Sequence, residues 1–173
     1  LAVAFPHDEM RILDYNRVVR DLNGLSPDAL LAQIRESFSV EPLPAARSPA
    51  QPETFSMYLA GNWYALKILS KLVPRHDPVA SLDVSLLQDR VLAPILKIGD
   101  ERTDPPIDFV GGVRGLPDLE RRVQSGRAAA AFALHPARME QLMAVADAGK
   151  VMPPKSTWFE PKLGDGLLSH VLD

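Results

Sequence analysis

Lys155-Ser156-Thr157-Trp158-Phe159-Glu160-Pro161-Lys162 brings two lysines, two hydroxyls and a carboxylate together in one short run. Such a set suits an anion, because Lys155 with Ser156 or Thr157 can hold a phosphate or carboxylate through charge-assisted hydrogen bonds. The plainer alternative is an exposed edge strand whose lysines discourage aggregation and whose Trp158 packs inward. Gly149 to Ser156 also has the spacing of a phosphate loop, G-x-x-x-x-G-K-[ST]. Pro154, however, stands where the second glycine belongs. It has no N–H to offer a phosphate, and its ring forbids positive φ. A helix is expected before this segment and a strand after it, the reverse of the motif's order. It is not a nucleotide loop.

A second group is Asp14-Tyr15-Asn16-Arg17, bracketed by apolar Ile12, Leu13, Val18 and Val19. A strand that buries its ends but carries Asp, Asn and Arg at its centre is locally inconsistent, and such inconsistency concentrates at functional positions. Ordinary surface salt bridges are the alternative. In Asp108-Phe109-Val110-Gly111-Gly112-Val113-Arg114, a strand ends in Gly-Gly before an arginine. That permits close approach of a ligand to the backbone, or it marks a turn that needs positive φ. In an anion site, Lys155, Lys162, Arg17 and Arg114 would bind the ligand. Asp14, Asp108 or Glu160 would hold a metal-bound phosphate or act as a base. His7, His76, His135 and His170 are dispersed, without metal spacing, and read as surface turns. No cofactor is indicated.

The elements that must position these groups follow from periodicity and caps. Residues 1–5 and Arg11–Val19 read as strands. Ser26, Pro27 and Asp28 start a helix whose stripe is Leu30, Leu31, Ile34 and Phe38. Four prolines, at 42, 44, 49 and 52, make 39–53 a solvated extended connection, the least regular stretch of the chain. Two β-rich runs, 54–60 and 63–69, flank Gly61-Asn62 as a hairpin. Helical spacing returns over Asp83–Leu92, with Asp83 as a cap, and over Pro117–Ser125 and Pro136–Ala148. Short strands are expected at Ile107–Val110, Ala128–Leu134, Ser156–Phe159 and Leu167–Leu172. Mixed hairpins and βα units imply an α+β fold: one mixed β-sheet of about eight strands with about four helices. Residues 1–173 then form a single domain.

Composition sets the outer bounds. The 173 residues are 46% hydrophobic and 24% charged, which excludes wholesale disorder, and no apolar run approaches the ~20 residues of a membrane span. The absence of cysteine excludes thiol catalysis, disulfides and cysteine-ligated zinc. A net charge of −3 argues against a nucleic-acid footprint, and Arg121, Arg122 and Arg127 lack interleaved aromatics. The chain opens Leu1-Ala2-Val3-Ala4-Phe5, which reads as a core strand cut near its start, so an excerpt of a longer protein is expected.

Several blocks together resemble one family. They are PHDEMRILDYNRVVRDLNGL at 6–25, MYLAGNWYAL at 57–66, DPVASLDVSLLQDRVLAPIL at 77–96, DFVGG at 108–112, and FALHPARMEQLMAVADAGKVMPPKSTWFEPKL at 132–163. They are similar to the C-terminal half of the uncharacterised bacterial proteins grouped as domain of unknown function 1015. Members carry an N-terminal half with an Asp-Gly-His-His-Arg segment, similar to that of the ParB/sulfiredoxin-like fold found in some free-serine kinases. None of that segment is present here. The resemblance therefore implies a phosphoryl- or nucleotide-linked site by analogy of fold and transfers no catalytic residue. The expected role is the C-terminal domain of a cytoplasmic enzyme handling a small anionic metabolite. Its expected partner is the N-terminal half of the same polypeptide, with self-association left open and neither membrane nor nucleic acid. The alternative is a non-catalytic domain for stability or self-association. An enzyme needs segments 14–17, 108–114 and 155–162 to converge.

Overall fold

The computed structural model describes Pro6 and residues 9–99 and 107–162. The strands expected at 1–5 and 167–172, with His7 and His170, lie outside these residues. Eight strands and four α-helices are described, an α+β fold. The strands are β1 (Arg11–Leu13), β2 (Tyr15–Val19), β3 (Phe38–Leu43), β4 (Thr54–Leu59), β5 (Asn62–Ile68), β6 (Ile107–Gly111), β7 (Ala130–Leu134) and β8 (Trp158–Glu160). The helices are α1 (Pro27–Ile34), α2 (Asp83–Leu87), α3 (Gly115–Gln124) and α4 (Met139–Asp147). The single mixed sheet is corrected in two respects. The strands divide into a six-stranded sheet, β3-β5-β4-β7-β2-β6, and a two-stranded sheet, β1-β8, with every pairing antiparallel.

The division falls at Asp14. Arg11–Val19 is a continuous β-pattern in sequence, yet Arg11–Leu13 pairs with β8 while Tyr15–Val19 pairs with both β6 and β7. Asp14, between them, accepts the Gly112 N–H on its carbonyl at 2.8 Å. A polar residue thus marks the place where the chain leaves one sheet for the other.

Side-chain alternation gives the large sheet two buried faces. Val19, Phe55, Met57, Leu59, Ala130, Phe132 and Leu134 point to one face. There they pack with α1, α2, α4 and the segment 91–98. Val18, Tyr58, Ala131 and Ala133 point to the other, against Leu119 of α3. Strand β7 is buried throughout, which explains its run of small residues.

Two local expectations are corrected. Ser39–Leu43 belongs to β3 rather than to a loose connection. Pro42 is tolerated because β3 is an edge strand, paired only with β5. The irregular part of the proline segment is 44–53. The hairpin turn sits one residue earlier than Gly61-Asn62, since Leu59 faces Asn62 across the ladder. Ala60 and Gly61 are the central residues, with φ of 49° and 82°. Two left-handed residues match the primed turn that suits strand twist.

Helix α1 starts as expected, Ser26 Oγ accepting the Ala29 N–H at 3.2 Å. Asp83 does not cap its helix: Leu82 holds that position, without a side-chain cap. Helix α2 passes directly into a π-helical segment, Gln88–Leu92, where the Ala93 N–H reaches back to the Gln88 carbonyl at 2.9 Å.

Candidate functional site

The pairing of β1 with β8 lays the 155–162 segment beside the 14–17 segment. Leu13 faces Trp158, and the Trp158 ring meets the Tyr15 ring with centroids 5.4 Å apart. Arg17 is buried on the α2 side of the sheet. Its Nη1 donates to the Tyr15 carbonyl at 2.5 Å and the Lys155 carbonyl at 3.1 Å, and Nη2 donates to the Pro154 carbonyl at 3.4 Å. The guanidinium carbon lies 5.3 Å from the Phe109 ring centroid. Arg17 is therefore a clamp that seats the 154–155 turn on β2. Lys155 takes φ of 52° in that turn, an uncommon conformation for a side chain with a Cβ. Its exposed ammonium stands over the Tyr15 ring at 5.8 Å.

The neighbouring groups divide between internal bonds and solvent. Asn16, fully buried, donates from Nδ2 to Asp14 Oδ2 and accepts the Leu134 N–H on Oδ1 at 3.0 Å. That finishes the β7 ladder, where an unmet N–H would be costly. Ser156 is buried and donates to the Pro153 carbonyl at 2.6 Å. Glu160 Oε1 accepts the Trp158 indole N–H at 2.7 Å. Lys162 stands over the Trp158 ring at 4.6 Å. Thr157 makes no hydrogen bond among the described residues.

Gly111-Gly112 joins this group, for a reason absent from both sequence readings. Neither glycine has positive φ. A Cβ at Gly111 would fall 2.4 Å from the Trp158 ring, and one at Gly112 would overlap the Asp14 carboxylate. The glycines exist so that Trp158 and Asp14 can sit against backbone. Asp108 and Arg114 go elsewhere. Asp108 points to the α3 face and pairs with Arg122 at 2.7 Å, and Arg114 lies exposed in the short turn before α3. Arg122 also reaches Asp118 at 2.9 Å, with Arg121 on the other oxygen. Burial pushes the Asp118 carboxyl up, but the hydrogen bonds from Arg122 and Arg121 outweigh it and hold the group below its usual range.

A residue that sequence reasoning read only as a cap adjoins this surface. Asp83 lines a small cavity with Tyr15, Leu134, His135, Gln141 and Ser156. Its Oδ1 accepts the Glu53 N–H at 2.8 Å. Burial pushes its carboxyl up to about 7, against the pull of that hydrogen bond. The signal in sequence was an aspartate among Leu82, Val84, Leu86 and Leu87, which periodicity alone cannot distinguish from a helix start. Beside the cavity runs an open groove of about 860 Å³, sharing Val84 and Met152 with it and rimmed by Asp77 and Lys150. Those two pair at 2.7 Å, and the Lys150 hydrogen bond holds the Asp77 carboxyl down to about 2. Among the described residues no group of three or more acidic or histidine side chains is placed to hold a metal ion.

The family described as "Protein of unknown function (DUF1015)" matches residues 1–85. The match includes β1 and β2, the 14–17 segment and Asp83. No curated protein matches the chain. Among solved structures, a mutant "Free serine kinase" in complex with AMP shares the fold at a TM-score of 0.53 and 16% identity, over 88% of this chain and 55% of that one. The "Free serine kinase in complex with AMP" gives 0.52 at 12% identity, with the same coverage. A mutant in complex with ADP gives 0.51 at 16%, again over 88% and 55%. The chain thus spans about half the length of these kinases, and at such identity the likeness is one of fold. No helix among the described residues is long and apolar enough to cross a membrane.

Proposed function

We propose that this chain is the C-terminal part of a cytosolic bacterial enzyme acting on a small anionic metabolite, with phosphoryl transfer as the reaction class. The observation that carries the reading is the seating of the 154–155 turn on β2, which holds a lysine ammonium above an aromatic ring. Lys155 supplies the charge for the anion, and Thr157 adds a hydroxyl from the same segment. Lys162, over Trp158, is the outer cation. Fold neighbours described as complexes of free serine kinase with AMP and ADP support the reaction class by analogy. Asp14, Glu160 and Asp108 each accept a hydrogen bond from a neighbouring side chain, so none of the three is assigned as the base.

A second reading, a non-catalytic stabilising domain, has one observation in its favour. Arg17, Asn16, Asp14 and Glu160 all spend hydrogen bonds on holding the fold. A thermal-shift screen of the full-length protein against nucleotides, phospho-amino acids and free amino acids separates the two. The enzyme reading expects a saturable rise in melting temperature with a phosphorylated compound. A flat response to every anionic compound favours the scaffold.

A further inference from the structure

Asp83 is 8% exposed, and its Oδ2 is buried with no hydrogen-bond partner among the described residues. An orphaned carboxylate oxygen in an apolar wall is expensive, and native folds seldom keep one without a use for it. Three other polar groups lining this cavity are engaged. Ser156 Oγ donates to the Pro153 carbonyl, Gln141 Oε1 accepts the Arg138 N–H at 2.9 Å, and His135 Nδ1 faces the Pro136 carbonyl at 2.8 Å. The free volume is about 10 Å³, room for one water-sized group, and the cavity adjoins the open groove through Val84 and Met152. Tyr15 links it to the anion surface, since it lines the cavity and its ring carries the Lys155 ammonium.

The geometry points to the Asp83 cavity as the seat of a primary ammonium group, belonging to a small zwitterion whose acidic end reaches Lys155. An ammonium is water-sized and supplies the donor that Oδ2 lacks. Unlike a hydroxyl, it also neutralises the charge that burial penalises. The acidic end rests on the anion-binding reading above, whereas the ammonium end stands on Asp83 alone. Burial and the nearby Glu53 carboxylate favour the protonated acid, while Arg138 opposes them, so ligand and proton compete for the same oxygen. The substrate class is that of amino acids and their phosphorylated derivatives.

Calorimetric titration of the full-length protein tests this with three probes: phosphoethanolamine, ethanolamine and phosphoglycolate. Phosphoethanolamine binds, and Asp83→Asn weakens it by at least about tenfold. Phosphoglycolate, which has no amine, is indifferent to Asp83→Asn and is weakened by Lys155→Ala. Phosphoglycolate binding with no Asp83-dependent amine response overturns the inference and leaves the anion reading standing. Asp83-dependent ethanolamine binding with no response to phosphoglycolate does the reverse. If Asp83→Asn does not fold, a pH series on the wild type replaces it. Ethanolamine affinity then rises as pH passes through about 7 and Asp83 gives up its proton. Glu53, Arg138, His135 and Tyr15 also face the site, so the series is repeated on His135→Gln. A flat profile in both proteins overturns the inference.

Discussion

Asp83 shows how a single side chain sets a testable cost. Its folded pKa, about 7, lies above the unfolded value of 3.8, so the folded state binds the proton more tightly. Stability is therefore lost as pH rises from about 4 to about 7, and above that the penalty is complete. Its upper bound is on the order of 4 kcal/mol, from about three pKa units at 1.36 kcal/mol each. Asp83→Asn keeps an oxygen for the Glu53 N–H and carries no charge. Denaturant melts should show the variant gaining on the wild type as pH increases across that window; a constant difference at every pH contradicts the account. Gly111 makes an opposite case. Gly111→Ala drives a methyl into the Trp158 ring and should cost about 1–3 kcal/mol by overpacking. In a Trp158→Ala background the same change should cost much less, and equal costs in both backgrounds would show that the contact is unimportant.

At the scale of elements, the sequence carried most of the local structure and little of the pairing. Ser26 and Pro27 start α1, and Ala130–Leu134 is a strand buried on both faces, as local patterns implied. The break at Asp14 was not legible, because it depends on β8, nearly the whole chain away in sequence. The same holds for Pro42, whose place in β3 depends on edge position rather than on propensity. The hairpin turn was displaced by one residue because glycine drew attention to itself while alanine supplied the other left-handed position. That yields a prediction: Ala60→Gly should stabilise the protein by about 0.5–1 kcal/mol, since alanine pays a steric cost at φ of 49°. A lowered melting temperature in Ala60→Gly would show that the turn's strain had been misassigned.

Across the whole molecule, the two-sheet arrangement turns separate polar segments into one surface. Segments 14–17 and 155–162 were each recognisable in sequence as polar groups in otherwise apolar strands, and their side-by-side placement follows from the β1–β8 pairing. Their internal division was not recognisable. Arg17 and Asn16 lie on opposite faces of β2, so one binds the 154–155 turn and the other the end of β7. Asp108 was drawn to the α3 face by the same alternation, which a strand pattern shows only once the buried faces are known. Asp83 escaped notice because its significance is an orphaned oxygen, a property of packing. The central claim is that Lys155 serves a ligand and Arg17 serves the fold. Its most direct test compares Lys155→Ala with wild type in the full-length protein, by affinity for the phosphorylated compound that binds best and by melting temperature. The expected result is at least about a tenfold loss of affinity with stability nearly unchanged, because an exposed lysine contributes little to folding. Equal losses of binding and stability, in free-energy terms, would contradict it and make the cluster a structural network.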